Sequence, residues 1–143
     1  MERIQQPLYI VWQDKFVQDE PIIDEQHRGA IAIINSLHYF IQQGYGLKDL
    51  MPTVNVLKSY LNFHFKTEQG ILHAMESPLL QQYRDEANKI IDEFDIQCRL
   101  GLREDDAQVL LVFLKDWWKT HLKLHKKITP YLHKWEGDYC RTN

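Results

Sequence analysis

Two polar side chains, His64 and Glu68, occupy helix positions where the sequence pattern otherwise places apolar residues. The residues that recur around them at steps of three and four are apolar: Val54, Leu57, Leu61, Leu72 and Met75. This spacing is typical of the buried face of an amphipathic helix. A buried carboxylate is costly unless another group pairs with it or a metal ion coordinates it. The two residues are therefore candidate metal ligands.

Further histidines fall on the buried faces of other predicted helices. His27 lies near the start of the first helix, and His121 and His125 lie towards the end of the last. In an antiparallel bundle these positions meet at the same end as His64 and Glu68. A single buried histidine is more often structural, but several imidazoles and a carboxylate in one layer favour iron, manganese or zinc. The sequence therefore predicts a metal-related site at this end of the core.

The elements that must position these side chains are four amphipathic helices, predicted at about residues 22–43, 48–75, 78–99 and 104–135. We expect Gly44–Gly46 to end the first helix, Ser77–Pro78 to open the third and Gly101 to end it. Glu104–Asp106 would form the acidic first turn of the fourth helix, and Pro130 would kink it or end it near Thr129.

Residues 1–20 form a predicted N-terminal arm in which Trp12 and Phe16 fold back onto the helices. No internal repeat or strand-like alternation interrupts the helical pattern. The prediction is an all-α fold, with residues 1–143 forming a single domain built as an antiparallel up-down four-helix bundle.

Composition narrows the class of protein. The chain has 143 residues, 44% of them hydrophobic and 26% charged, with a net charge of -3, which is typical of a globular domain. Weak clustering of Lys and Arg argues against nucleic acid as a partner. No apolar stretch approaches the roughly 18 residues of a membrane span, and we expect no signal peptide. The two cysteines, Cys98 and Cys140, are expected to be free thiols in a reducing cytoplasm.

These residues also carry a resemblance to bacterial hemerythrin-like proteins over nearly the whole chain. That family has a Trp followed by Ile-Asp-x-Gln-His, matched by Trp12 and Ile23–His27. Its His-Phe-x-x-Glu motif is matched by His64–Glu68, with the family's following Pro at Pro78. Its Trp-x-x-x-His motif is matched by Trp117 and His121. The resemblance implies a four-helix bundle with a non-haem di-iron site that binds dioxygen reversibly.

The ligand set that the resemblance implies is incomplete in this chain. Four of the seven family ligands are retained, as His27, His64, Glu68 and His121. Tyr83 and Ala87 stand where the family has two histidines, and Lys126 stands where it has a bridging Asp. Trp118 replaces the apolar residue, often Leu, beside the family's bound dioxygen and would crowd that pocket. An intact di-iron oxygen carrier is therefore not expected.

One remaining hypothesis is a degenerate site that holds a single non-haem iron ion. His27, His64 and Glu68 would form a two-histidine, one-carboxylate triad, which suits Fe(II) and leaves open positions. His121 or His125 could complete the coordination, and Tyr83 could act as a phenolate ligand or fill the volume of the missing His. The role would be binding or sensing of iron, redox state, O2 or another small diatomic molecule rather than efficient O2 carriage.

The alternative hypothesis is a metal-free bundle that serves as an interaction or signalling module with a protein partner. Lys126 would pair with Glu68 in place of the lost metal charge, unless it is simply solvated, and Tyr83 and Trp118 would fill the vacated space. Under either hypothesis we do not expect an enzyme. The sequence has no Ser or Cys nucleophile in a recognisable setting, no Gly-rich phosphate loop and no Cys-x-x-Cys motif.

Overall fold

A computed structural model describes residues 6–142 of the chain and the side chains of residues 6–135. After a short 3₁₀ helix at Asp14–Phe16, the chain forms four α-helices: α1 (Pro21–Gln42), α2 (Met51–Ala74), α3 (Leu80–Glu104) and α4 (Gln108–Thr142). Each helix packs against the next in the chain, and α4 also packs against α2 and α1. The described residues contain no strand, so the predicted all-α four-helix bundle is confirmed.

The core runs along the axis of the bundle and is formed by the predicted apolar faces. Ile34 of α1, Leu57 and Leu61 of α2, and Leu110 and Leu114 of α4 are each at most 1% exposed. Burial of one such aliphatic side chain stabilises a fold by about 1.5–3 kcal/mol. Among the described residues, no helix is both long enough and apolar enough to cross a membrane.

The first interhelical turn ends α1 close to the predicted place. Gly44 has a positive φ of 99°, which a residue with a side chain adopts only with strain. α2 then begins three residues later than predicted, because residues 46–50 form turns of their own. The N–H of Asp49 donates to the carbonyl of Gly46, and that of Leu50 donates to Leu47.

The ends of α3 differ from the prediction. Ser77 accepts a hydrogen bond from the N–H of Leu79 at 3.1 Å, so Ser77–Pro78 forms a turn before a helix that begins at Leu80. Gly101 does not end the helix. A Cβ at this position would lie 2.9 Å from Cδ2 of Leu47, so glycine here allows a close approach of two segments.

The boundary between α3 and α4 also differs from the prediction. α3 continues to Glu104 and ends at Asp105, which has left-handed φ and ψ of 51° and 46°. Asp106 accepts a hydrogen bond from the N–H of Gln108, and α4 begins there. The predicted acidic first turn of α4 is therefore wrong, because these acidic residues terminate one helix and cap the next. α4 also passes through Pro130 without ending near Thr129.

The described part of the N-terminal arm, residues 6–20, folds back onto the helices as predicted. Oδ1 of the buried Asn35 accepts hydrogen bonds from the N–H groups of Tyr9 and Ile10, both at 2.8 Å, and Nδ2 donates to the carbonyl of Ile10. Phe16 is buried. The expectations for residues 1–5 and for the thiol of Cys140 lie outside the described residues, whereas Cys98 is a free, buried cysteine.

Candidate metal centre

Five buried side chains from three helices converge near the start of α1. α1 contributes His27, α2 contributes His64 and Glu68, and α4 contributes His121 and His125. Each pair on α2 and α4 is four residues apart, which places both members on one helix face. Each residue offers one ligand atom, and these five atoms all lie within 4.8 Å of one another. The sequence left His125 as an alternative to His121, and the structure brings both into the cluster.

The imidazole nitrogens are spaced as the ligands of one ion would be. The Nε2 atoms of His27, His64 and His121 form a triangle with sides of 3.1, 3.1 and 3.0 Å. Nε2 of His125 lies 3.1 Å from that of His121. With metal–nitrogen bonds of about 2.1 Å, adjacent ligands lie about 3.0 Å apart in an octahedron and about 3.4 Å apart in a tetrahedron.

Hydrogen bonds cannot form along all three sides of this triangle. Each Nε2 atom either donates one proton or accepts with one lone pair. Three such atoms in mutual contact can therefore form donor–acceptor pairs along only part of the triangle made by His27, His64 and His121. A cation between them would be coordinated by all three lone pairs.

Glu68 is 0% exposed and completes the cluster. Its Oε1 lies 2.5 Å from Nε2 of His64 and 3.2 Å from Nε2 of His121, and its Oε2 lies 2.8 Å from Nε2 of His125. Tyr83 donates a hydrogen bond from its hydroxyl group to Oε1 at 2.9 Å. Oε2 has no hydrogen bond of acceptable geometry in the described part of the chain, which leaves a buried acceptor oriented within the cluster.

Three of the five side chains have protonation states that suit a bound cation. Burial lowers the pKa of His121 to about 3 and that of His27 well below its ordinary value, so both imidazoles are neutral at pH 7. Burial acts to raise the pKa of Glu68, but the neighbouring His64 and His125 outweigh it and lower that pKa, so the carboxylate is ionised. Metal ions bind neutral imidazole and ionised carboxylate.

Gln26 orients one of these ligands from the outside. Its Oε1 accepts a hydrogen bond from Nδ1 of His64 at 2.9 Å, which places the lone pair of that imidazole on Nε2, towards the cluster. Its Nε2 donates to the hydroxyl of Thr67 at 3.2 Å, and its carbonyl accepts from Tyr60. This role of Gln26 was not predicted, although Gln26 directly precedes His27 and lies three residues after Ile23, on the buried side of the helix pattern. Nδ1 of His27 and of His125 has no hydrogen-bond partner in the described structure.

Aromatic side chains enclose the cluster on two sides. The ring of Trp118 lies edge-on to His27 with centroids 5.0 Å apart, and Phe16 of the arm packs edge-on to Trp118 at 5.2 Å. Trp117 stacks on His121 at 5.2 Å with an interplanar angle of 27°. Trp118 therefore lies beside the cluster, where the resemblance placed it, and Trp117 of the Trp-x-x-x-His motif stacks on the histidine that follows it.

The three positions that depart from the family pattern have different surroundings. Tyr83 is buried, and burial together with Glu68 raises its pKa well above the ordinary value, so it acts as a hydrogen-bond donor to Glu68. Ala87 is buried and lines a cavity. Lys126 is exposed, so the predicted Lys126–Glu68 pair is wrong. Because Lys126 is five residues after His121, it lies outside the buried face of α4, and His125 meets Glu68 instead.

Comparison with known proteins adds no family assignment. No protein-family model matches this chain, and no curated protein matches it. The class that the fold and the site define is an all-helical four-helix bundle with a buried His/Glu cluster at metal-binding distance. That description is compatible with the hemerythrin-like fold that the sequence resembles.

Proposed function

We propose that this protein binds one iron ion through His27, His64, Glu68, His121 and His125, and that it serves in binding or sensing rather than in oxygen carriage. The observation that carries the proposal is the triangle of Nε2 atoms at 3.0–3.1 Å with Glu68 beside it. The orphaned Oε2 atom of Glu68 fits the same assignment, because a bound cation would satisfy it.

The compactness of the cluster supports one ion rather than two. All five ligand atoms lie within 4.8 Å of one another, close to the roughly 4.2 Å that separates opposite ligands of one ion. Two ions about 3.5–4 Å apart would spread their terminal ligands well beyond that distance. The side chains that would serve a second ion are also missing, since Ala87 has no donor and Lys126 is exposed.

The donor set supports iron. Structural zinc sites are almost always four-coordinate, whereas this cluster offers four imidazoles and a carboxylate. Imidazole and carboxylate together suit non-haem iron. Iron held by five protein ligands keeps one position for a small molecule, which supports a role with dioxygen or another diatomic ligand. We propose a binding function rather than an enzymatic one, and the free buried Cys98 supports a reducing compartment such as the cytoplasm.

Metal analysis after reconstitution tests the proposal. Protein treated with a chelator and then with Fe(II) under anaerobic conditions should retain about one iron per chain after desalting, measured by mass spectrometry. Glu68→Gln should lose most of that iron because it removes the only carboxylate of the cluster. His73→Gln is the matched control, because His73 is an exposed histidine of the same helix. Retention of no iron, or of two ions per chain, would refute the mononuclear assignment.

A metal-free interaction or signalling module is the second candidate, favoured by the Tyr83–Glu68 hydrogen bond of 2.9 Å. This bond partly compensates the buried carboxylate without any ion. Under this alternative the reconstituted protein would hold no metal, and chelator would leave its melting temperature unchanged. The partner would then be another protein, to be sought on the outer surface of the bundle.

A further inference from the structure

A cavity of about 280 Å³ lies between α2, α3 and α4, next to the His/Glu cluster. Its buried lining consists of Phe65, Tyr83, Ala87, Trp117 and His121. Of these, only His121 also belongs to the cluster, so the cavity is a separate space that shares one wall with it. The remaining lining residues are partly or fully exposed, which places the mouth of the cavity between α3 and α4.

The inner walls are aromatic. The ring of Phe65 lies edge-on to Tyr83 at a centroid distance of 6.4 Å and edge-on to Trp117 at 6.0 Å. Ala87 contributes only a methyl group, and this small side chain leaves the space between the rings open. Aromatic rings favour edge-to-face or offset contacts with another ring, so this lining suits a flat aromatic molecule.

The polar groups of the lining indicate a neutral ligand. The hydroxyl of Tyr83 is already engaged with Glu68, so it offers no free proton to the cavity. At the mouth, Glu86 and Lys89 carry opposite charges, and Thr120 adds a hydroxyl group. A charged ligand would lose hydration without a matching buried partner, whereas a neutral ring could direct one polar atom towards the mouth.

The volume sets the size of the ligand. An apolar cavity of about 150 Å³ holds a benzene molecule. At about 280 Å³, the cavity next to Ala87 has room for a second fused ring. From the volume, the aromatic walls and the balanced mouth, we propose that this cavity is a binding site for a neutral bicyclic aromatic molecule of the indole class.

Calorimetric titration of indole into the chelator-treated protein tests this site independently of metal. Saturable binding with one molecule per chain and a Kd below about 1 mM is expected. Ala87→Phe, which places a ring in the cavity, should weaken binding at least about tenfold. Ala32→Phe is the matched control, because Ala32 lines a different cavity on α1, and it should leave the affinity within about twofold.

A second measurement keeps the proposal testable if Ala87→Phe does not fold. In the wild-type protein, indole protons should give intermolecular NOEs to the methyl group of Ala87 and the ring of Phe65. Absence of saturable binding up to about 5 mM would overturn the proposal, as would NOEs confined to other residues. Unchanged affinity in a folded Ala87→Phe variant would also overturn it. Because no metal is present in these experiments, their failure is distinct from failure of the iron proposal.

Discussion

Acidification should destabilise the metal-free protein through the buried histidines, and His121 allows the size of the effect to be worked out. Burial lowers the pKa of this imidazole from 6.5 to about 3, although the adjacent Glu68 acts to raise it. In the unfolded chain the same imidazole takes up a proton near pH 6.5. Between these two values the unfolded state binds more protons, so stability falls as the pH falls.

The contribution of His121 between pH 7 and pH 5 is about 2 kcal/mol of unfolding free energy. It depends little on the folded-state pKa, because His121 stays almost unprotonated in the folded protein at pH 5. His27 acts in the same direction, since burial lowers its pKa as well. Glu68 also has a lowered pKa, and its stabilising ionisation is lost only as the pH falls below about 4.5. Between pH 7 and pH 5 the change in unfolding free energy therefore reports on His121 and His27 rather than on Glu68.

Urea unfolding of chelator-treated protein at the two pH values measures this effect. The wild-type protein should lose at least about 2 kcal/mol on going from pH 7 to pH 5. His121→Gln removes the titrating group, so its loss should be smaller than that of the wild type by about 2 kcal/mol. His73→Gln removes an exposed histidine of α2 and should show the wild-type loss.

Equal losses of stability on acidification in the wild-type protein and in His121→Gln would contradict this prediction. Such a result would mean that His121 takes up its proton in the folded state as readily as in the unfolded chain. The burial of the cluster would then not control its protonation. If both glutamine variants lost less stability than the wild type, the effect would depend on the number of histidines and not on the burial of His121.

Single substitutions at three other contacts should each have a measurable effect. Tyr83→Phe removes the hydrogen bond to the buried Glu68 and should destabilise the metal-free protein by about 1–3 kcal/mol. An unchanged midpoint in urea unfolding would contradict this expectation. Gln26→Leu removes the hydrogen-bond acceptor for Nδ1 of His64 and should weaken iron binding about 10–100-fold. The affinity is measured by competition with a chelating dye, and an unaltered affinity would argue against the orienting role of Gln26. Asn35→Ala removes three of the hydrogen bonds between the N-terminal arm and the helices, so trypsin should cleave the arm faster. Equal cleavage rates in the variant and the wild type would refute this anchoring role of Asn35.

Much of the fold and of the candidate site could be predicted because both depend on helical periodicity. Apolar residues at steps of three and four identified the faces of the four helices that pack together. The same periodicity placed His27, His64, Glu68 and His121 on buried faces, and antiparallel packing brought those faces to one end of the bundle. The sequence could not show whether His121, His125 or both are ligands, because the two residues occupy the same face of α4.

The helix boundaries were less predictable because they depend on contacts between segments that are distant in the chain. Gly101 resembles a helix terminator in the sequence, but its missing side chain serves the approach of Leu47. Asp105 ends α3 in a left-handed conformation that a non-glycine residue adopts only occasionally. The cavity next to Ala87 likewise arises from the spacing of three helices, which no single segment encodes.

The position of Lys126 bears most directly on the choice between the two functions. Because Lys126 is exposed, no lysine neutralises the buried Glu68 within the described structure, and the metal-free hypothesis loses its proposed source of positive charge. Tyr83 supplies only a neutral hydrogen bond to one carboxylate oxygen. His64 and His125 favour the ionised form of Glu68, but burial opposes positive charge on His27 and His121, and hydrogen bonds can form along only part of the Nε2 triangle. A metal ion would supply the positive charge and use all of these lone pairs at once, which is why the mononuclear site accounts for the cluster better than the metal-free bundle.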